Sequence, residues 1–221
     1  MASFRLRSQK KKKNLGLVHL VPSYLPSILY YWHIVNSDVI FGLSMKYQRQ
    51  TTRNRCIIMS ANGPLKLIIP IKHNKKQKLY DFNATMDNNQ NWKVKHWKSI
   101  QNAYRSSPFF DFYEEEFYNF FFNNEKLLFS LNLNLISRIN QILGLNKEIK
   151  VTSKKIPHDK YDKRLINFQK NLYFNIPKYN QVFMSKFEFV PNLSILDLLF
   201  NMGPKSLEYL NDLKFSQFHS N

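Results

Sequence analysis

Apolar side chains come in short runs divided by polar breaks, and the period of each run separates strand from helix. Leu17 to Val21 reads as a strand, Pro22-Ser23-Tyr24-Leu25-Pro26 breaks it, and Ile28 to Val35 is apolar or aromatic on every side, as in a buried helix. Asp38 to Leu43 returns as a strand. The opening therefore predicts a βαβ unit whose first loop lies at the carboxyl edge of a sheet, where ligands bind most often.

Arg55 to Ser60 and Leu65 to Ile71 flank Ala61-Asn62-Gly63-Pro64, and Asn-Gly with positive φ angles predicts a tight antiparallel hairpin in which Arg55 and Cys56 face opposite sides. Lys72 to Gln77 reads as a charged loop and Asp81 to Asn89 as irregular or extended surface chain. Helical spacing follows over Trp92 to Arg105, with Trp92, His96, Ser99 or Ile100, and Ala103 along one side. Phe109 to Phe122 is aromatic, interrupted by Glu114, Glu115 and Glu116, read as a solvated face opposite Phe112, Tyr113 and Phe117. Leu127 to Leu143 is an amphipathic helix stopped by Gly144, and Ile149 to Thr152 a strand. Ser194 is placed to cap a helix over Ile195 to Met202, with Asp197 completing a capping-box-like arrangement and Gly203-Pro204 as stop and restart. The class expected is α/β: one domain, a mixed sheet with an N-terminal βαβ unit, a β-hairpin and a helical middle region. An α+β description is the near alternative. Residues 1–14 read as a disordered basic tail, 15–212 as the domain and 213–221 as a C-terminal tail.

Composition changes this picture little. The 221 residues are 43% hydrophobic and 15% aromatic, which is globular. No apolar run approaches the ~20 residues of a membrane span, and the basic N-terminus has no signal-peptide core behind it, so a cytoplasmic protein is expected. The single cysteine, Cys56, has no partner for a disulfide or a zinc site and reads as a small buried hydrophobe. Formal net charge is +18, of which Arg5, Arg7 and Lys10 to Lys13 supply six, leaving +12. Abundant Lys, Asn, Ile, Phe and Tyr beside scarce Gly and Ala is the composition of an AT-biased genome, so the charge is discounted as a sign of nucleic-acid binding. Non-specific contact by the tail is the most it supports.

The candidate chemistry lies in Tyr47-Gln48-Arg49-Gln50-Thr51-Thr52-Arg53-Asn54-Arg55-Cys56, where three guanidinium groups stand among amides and hydroxyls between two strand-like segments. Arg49, Arg53 and Arg55 have the forked donors that grip a carboxylate or phosphate, and the competing interpretation is a solvated basic loop. Ser23 and Tyr24 either face a ligand or shape the turn between two prolines. His96, between Trp92 and Trp97, is either a general base among sugar-stacking indoles or a hydrogen-bonded core histidine. His19, His33, His73, His158 and His219 lack polar company at matching spacing. No His-Glu-x-x-His motif, carboxylate cluster, GxGxxG, phosphate loop or GxSxG is present, so no metal or cofactor is expected.

Ser23-Tyr24-Leu25-Pro26, Tyr47 through Arg-Asn-Arg-Cys56, Asn62-Gly63 with Pro70-Ile71, Trp92 with His96-Trp97 and Tyr104 to Phe110, and Pro191 to Pro204, in that order, resemble the WbqC-like family of bacterial proteins over most of the chain. The resemblance implies a protein of surface-glycan or lipopolysaccharide assembly, with transfer of an acyl or aminoacyl group, glycyl being the usual suggestion, to an amino sugar as the activity. Carried onto this chain, it makes His96 and Tyr24 the catalytic candidates and Ser23, Tyr47, Arg49, Gln50, Arg53, Asn54, Arg55, Trp92 and Trp97 the substrate-binding ones. The ligand would be an anionic or sugar-containing small molecule. The chain departs from the family at Leu43-Ser44-Met45, where one or two acids are usual, so a general base or metal ligand is absent there. A non-catalytic binding or assembly protein is therefore the alternative. On the transferase reading, Arg53→Lys depresses turnover far more than stability.

Overall fold

The computed structural model describes residues 15–72, 78–154 and 176–213. The basic tail, most of the charged loop after Ile71 and residues 214–221 lie outside the described residues.

The βαβ unit forms as expected. Strand β1 (Leu17–Leu20) leads through helix α1 (Ile28–Asn36) to β2 (Asp38–Gly42), which pairs parallel with β1, Leu17 opposite Asp38 and Leu20 opposite Phe41. The Ser27 hydroxyl caps α1 by accepting from the Tyr30 amide. Ile28, Leu29, Tyr30, Tyr31, Ile34 and Val35 are all buried, and the two phenols find acceptors, Tyr30 in the Val21 carbonyl at 2.6 Å and Tyr31 in Asn140 Oδ1 at 2.7 Å. At the other end of α1 the Lys147 ammonium donates to the carbonyls of Ile34, Val35 and Ser37 at 3.0, 2.8 and 2.8 Å, satisfying acceptors that a helix terminus leaves open.

Strands β3 (Arg55–Ser60) and β4 (Gly63–Ile68) form the antiparallel hairpin as a separate two-stranded sheet. Its turn sits one residue earlier than expected. Ala61 and Asn62 are the loop, Ser60 opposes Gly63, and Gly63 alone of the Asn-Gly pair has positive φ, at 102°. The Ser60 hydroxyl sets this register by donating to the Gly63 carbonyl at 2.7 Å and accepting from the Asn62 amide at 3.3 Å.

The helical middle comprises α2 (Trp92–Tyr104), α3 (Phe110–Phe121) and α4 (Leu128–Ile142), after which β5 (Lys150–Thr152) adds parallel to β2 on the side away from β1. Of the two alternatives on α2, Ile100 is the buried one. Phe112 is 77% exposed rather than turned from solvent with Tyr113 and Phe117, Glu116 pairs with Arg138, and Glu114 accepts from Gln101 at 3.0 Å. A one-turn helix without a sequence signal, α5 (Met184–Phe187), precedes α6 (Ile195–Met202) and α7 (Ser206–Asp212).

Helix α6 is the hub of the core. Its start lies beside the start of α1: the Ile28 amide donates to the Leu193 carbonyl, Ile195 to Pro26, and Ser194 to Ile57 on β3, at 3.0, 2.7 and 2.8 Å. Phe200 then meets the rings of Tyr104, Phe110 and Phe117 at centroid distances of 5.2, 5.2 and 5.5 Å. Ser194 caps α6 through the Leu196 amide, but Asp197 closes no capping box, because the Ser194 amide is taken by Ile57. The Asp197 carboxylate turns inward to the Tyr179 hydroxyl and the Gln181 amide instead, the latter at 2.8 Å.

Burial raises the Asp197 carboxyl above its ordinary range, against the hydrogen bonds from Tyr179, Gln181 and Tyr104 that pull it down. A raised acid destabilises the fold once both states are ionised and costs nothing while both are protonated. Stability contributed here is therefore lost as pH rises from about 4 through the folded-state value. Asp197→Asn keeps an acceptor for Tyr179 and removes the charge, so in urea unfolding the variant gains on the parent as pH is raised from 4 to 8.

Candidate functional site

Two loops meet beyond the carboxyl end of β1, and short polar side chains lock them together. The Tyr24 amide donates to the Thr52 carbonyl at 3.0 Å, and the Ser23 and Thr52 hydroxyls lie 3.0 Å apart. Asn132 of α4 donates to both the Pro22 carbonyl, at 3.1 Å, and the Arg53 carbonyl, at 2.7 Å. Asn54 exchanges bonds with Ile69 in the manner of one more hairpin rung, side-chain amide to carbonyl at 2.8 Å and carbonyl from amide at 2.9 Å. Thr52, Arg53 and Asn54 are thus buried, whereas Gln48, Arg49 and Gln50 are exposed and Arg55 is half-buried. The polar run has an inner, load-carrying half and an outer half at the surface. Gln50, at φ 61°, turns the chain between them.

Arg53 is the centre of the inner half. Its Nε donates to Asp81 Oδ1 at 2.7 Å with both side chains only 4% exposed, and its Nη1 donates to the Thr51 hydroxyl at 3.3 Å. Nη2 is buried and has no hydrogen-bond partner among the described residues. Asp81 reaches this position because the chain from Leu79 to Asp81 pairs with Met45 to Tyr47: Tyr47 donates to Leu79 and Asp81 to Met45, at 3.0 and 2.9 Å. An acid thus arrives beside Leu43-Ser44-Met45 from a distant segment. The expectation that Asp81 to Asn89 is surface chain is corrected here, since Asp81, Ala84 and Met86 are buried.

Tyr47 is buried next to this group. Burial pushes its phenol up to about 12, Arg53 pulls it down, Asp81 raises it, and Arg55 and Arg49 lower it again. The phenol therefore stands within electrostatic reach of all three arginines of the run.

Behind the loops the Tyr24 hydroxyl and His96 Nδ1 are hydrogen-bonded at 2.8 Å, the hydroxyl donating when the other ring nitrogen carries the proton to the Ile68 backbone. Trp92 stands edge-on to both rings, 6.3 Å from Tyr24 and 5.2 Å from His96, and its own N–H goes to Asn88 Oδ1 at 3.0 Å. The pair is covered, with Tyr24 0% and His96 6% exposed. Burial lowers His96 to about 4, opposed by a hydrogen bond to the Ile68 backbone, and burial raises Tyr24 well above the ordinary phenol value. Both groups are neutral at pH 7. Trp97 turns the other way, against Phe110, Tyr118 and Phe121 of α3 at 6.3, 5.8 and 5.7 Å.

The structure therefore brings Tyr24, Trp92 and His96 into one cluster and Ser23, Tyr47, Arg53 and Asn54 into an adjoining one, joined through the Tyr24–Thr52 backbone bond. Arg49, Gln50 and Arg55 form the outer rim, and Trp97 belongs to the α2–α3 seam. Sequence reasoning missed Asp81, Thr52 and Asn132. Asn132 was findable: it is a polar residue on the apolar side of α4, among Leu128, Leu131, Leu135 and Ile136, where a buried amide must have partners. Asp81 lies in a stretch without periodicity and carried no such signal. Two open cavities, one of about 520 Å³ between α3 and α4 and one of about 300 Å³ beside β2 and the end of α1, contain none of the predicted site residues. Among the described residues no three His, Cys, Asp or Glu side chains converge as a metal site would require, and no helix is long and apolar enough to cross a membrane.

A single α/β domain with a polar site built from two interlocked loops is the class of protein that emerges. The model of the WbqC-like protein family matches residues 22–174 and 155–209, and the chain belongs to that family. Comparison with curated proteins and with solved structures gives no match.

Two outcomes follow from the geometry. Because removing one member of a buried ion pair leaves the other uncompensated, Arg53→Ala and Asp81→Ala each cost about 3–5 kcal/mol in chemical denaturation. The double variant costs less than their sum. Arg53→Lys, which cannot reproduce the two-way grip on Asp81 and Thr51, lowers stability as well, so its effect on turnover is measured below its own Tm. For His96, lowered to about 4 in the fold, the unfolded imidazole protonates first as pH falls below about 6.5. Stability is full above that pH and drops by roughly 3 kcal/mol towards pH 4. In urea titrations the gap between wild type and His96→Gln narrows over that window, and the His96 ring NMR shift stays constant above pH 5.

Proposed function

We propose that this WbqC-like protein binds an anionic, sugar-containing small molecule in surface-glycan assembly, and that binding rather than group transfer is its function. One observation carries the reading: a guanidinium held by Asp81 and Thr51 keeps its Nη2 donor buried with no hydrogen-bond partner among the described residues. Burying a donor unpaired costs free energy that an acceptor on a ligand recovers. Because the group is already fixed, little ordering entropy opposes that contact. Arg53, Arg55, Arg49 and the Asp81 carboxylate all act on Tyr47, and among these described groups positive charge predominates, which favours a phosphate or carboxylate. Arg49, Gln50 and Arg55 at the rim would receive the ligand first. Tyr24, His96 and Trp92 would hold the floor beneath the loops, with Ser23 and Asn54 fixing the loops themselves.

Acyl or aminoacyl transfer to an amino sugar is the second reading, favoured by the 2.8 Å Tyr24–His96 hydrogen bond. Against it stands an imidazole too weakly basic to take a proton efficiently near pH 7.

Calorimetry with nucleoside-diphosphate-linked amino sugars and with the matching neutral sugars tests the proposal. Only the anionic ligands bind, and Arg49→Ala with Arg55→Ala weakens them at least about tenfold, or ~1.4 kcal/mol, measured at a temperature where both variants are folded. Equal binding of the neutral sugars overturns the anion site. Formation of acylated sugar from an activated acyl donor, lost in Tyr24→Phe and His96→Gln, overturns the binding-only reading in favour of transfer.

A further inference from the structure

Charge is sorted between two neighbouring helices in a way that the anion site does not use. Helix α2 carries Lys93, Lys95 and Lys98 and no acid, with Arg105 just beyond it, whereas α3 carries Asp111, Glu114, Glu115 and Glu116 and no base. On a chain of net charge +18 with 15 acids in all, four acids in twelve residues form an acidic island. Yet the two helices do not neutralise each other: among the described residues Lys95, Lys98 and Arg105 make no ion pair with an acid, nor Asp111 or Glu115 with a base. The same face is unusually apolar. Phe112, Tyr118, Phe122 and Val94 are 77, 48, 39 and 42% exposed, and the Tyr118 and Phe122 rings lie 4.7 Å apart towards the C-terminal end of α3. Exposed aromatics within a charged rim mark an association surface.

We infer that the α2–α3 face pairs with the same face of a second copy of this chain. The helices run antiparallel, since Lys93 reaches the Asn123 carbonyl, Trp97 meets Tyr118 and Phe121, and Gln101 bonds Glu114. A twofold axis lying in the interface along the helices and midway between them lays α2 of one copy on α3 of the other and preserves height along the pair. Lys98 then comes level with Glu115 of the second copy, Arg105 with Asp111, and Val94 with the Tyr118–Phe122 pair. Stacking α3 on α3 would instead oppose Asp111 and Glu115 of both copies, so charge selects the crossed arrangement. The face is about 20 Å long and roughly as wide, below the standard interface, so the dimer is micromolar and salt-sensitive.

Sedimentation equilibrium of the full chain tests this. Wild type shifts from 26.5 kDa towards twice that mass as concentration rises to about 100 μM. Lys98→Glu and Glu115→Lys alone each weaken dimerisation at least about tenfold, and the double exchange restores it. Phe112→Ser weakens it at unchanged net charge. All three side chains are exposed, so Tm is unmoved. A chain that remains at 26.5 kDa throughout, or a dimer that neither the single exchanges nor Phe112→Ser weaken, overturns the proposal.

Discussion

The buried pair between Arg53 and Asp81 is the constraint around which the site is arranged. A guanidinium and a carboxylate, each 4% exposed, tolerate removal from water only with close geometry and further hydrogen bonds. Thr51 supplies one such bond, and the carbonyl of Arg53 is held by Asn132. That anchoring fixes the loop against Ser23 and Tyr24 on one side and against the Met45–Tyr47 segment on the other. One ion pair therefore joins the βαβ unit, the hairpin, helix α4 and the segment carrying Asp81. What it leaves over, a donor nitrogen with no partner among the described residues, is the feature on which the proposed recognition rests.

Burial divides the polar groups by role. Tyr24 and His96 are neutral because taking either charge out of water is unfavourable, and they satisfy each other. Arginine keeps its charge under the same conditions, so the electrostatic character of the region comes from Arg49, Arg53 and Arg55 and not from the imidazole. The absence of acids at Leu43-Ser44-Met45 points the same way, since Asp81, the acid that reaches this region, is already committed to Arg53. On the opposite helices, acids and bases stay apart within one chain. That separation is a pattern that folding alone does not require.

Much of the fold was legible in the sequence because it depends on period and punctuation. The apolar run of α1, the alternation of Arg55 and Cys56, and the stop at Gly203-Pro204 are local properties, and each element formed where its pattern lay. The family, too, was readable from motifs in order, and the match over residues 22–209 supports it. Local chemistry misled where a backbone group had a better partner elsewhere: Ile57 took the amide that Asp197 was expected to satisfy, and Ser60 moved the hairpin turn off Asn62-Gly63.

By itself, then, the sequence determined the order and type of the elements, the basic character of the polar loop and the placing of His96 one helical turn from Trp92. Tertiary structure alone decided which arginine is buried, that Asp81 is its counter-ion, that Tyr24 closes on His96 and that Trp97 looks away from both. The reason is range. Hydrophobic period and capping act within a few residues, whereas the fate of a charge depends on what arrives beside it from far along the chain, and only packing brings Arg53 and Asp81, 28 positions apart in sequence, to within 2.7 Å.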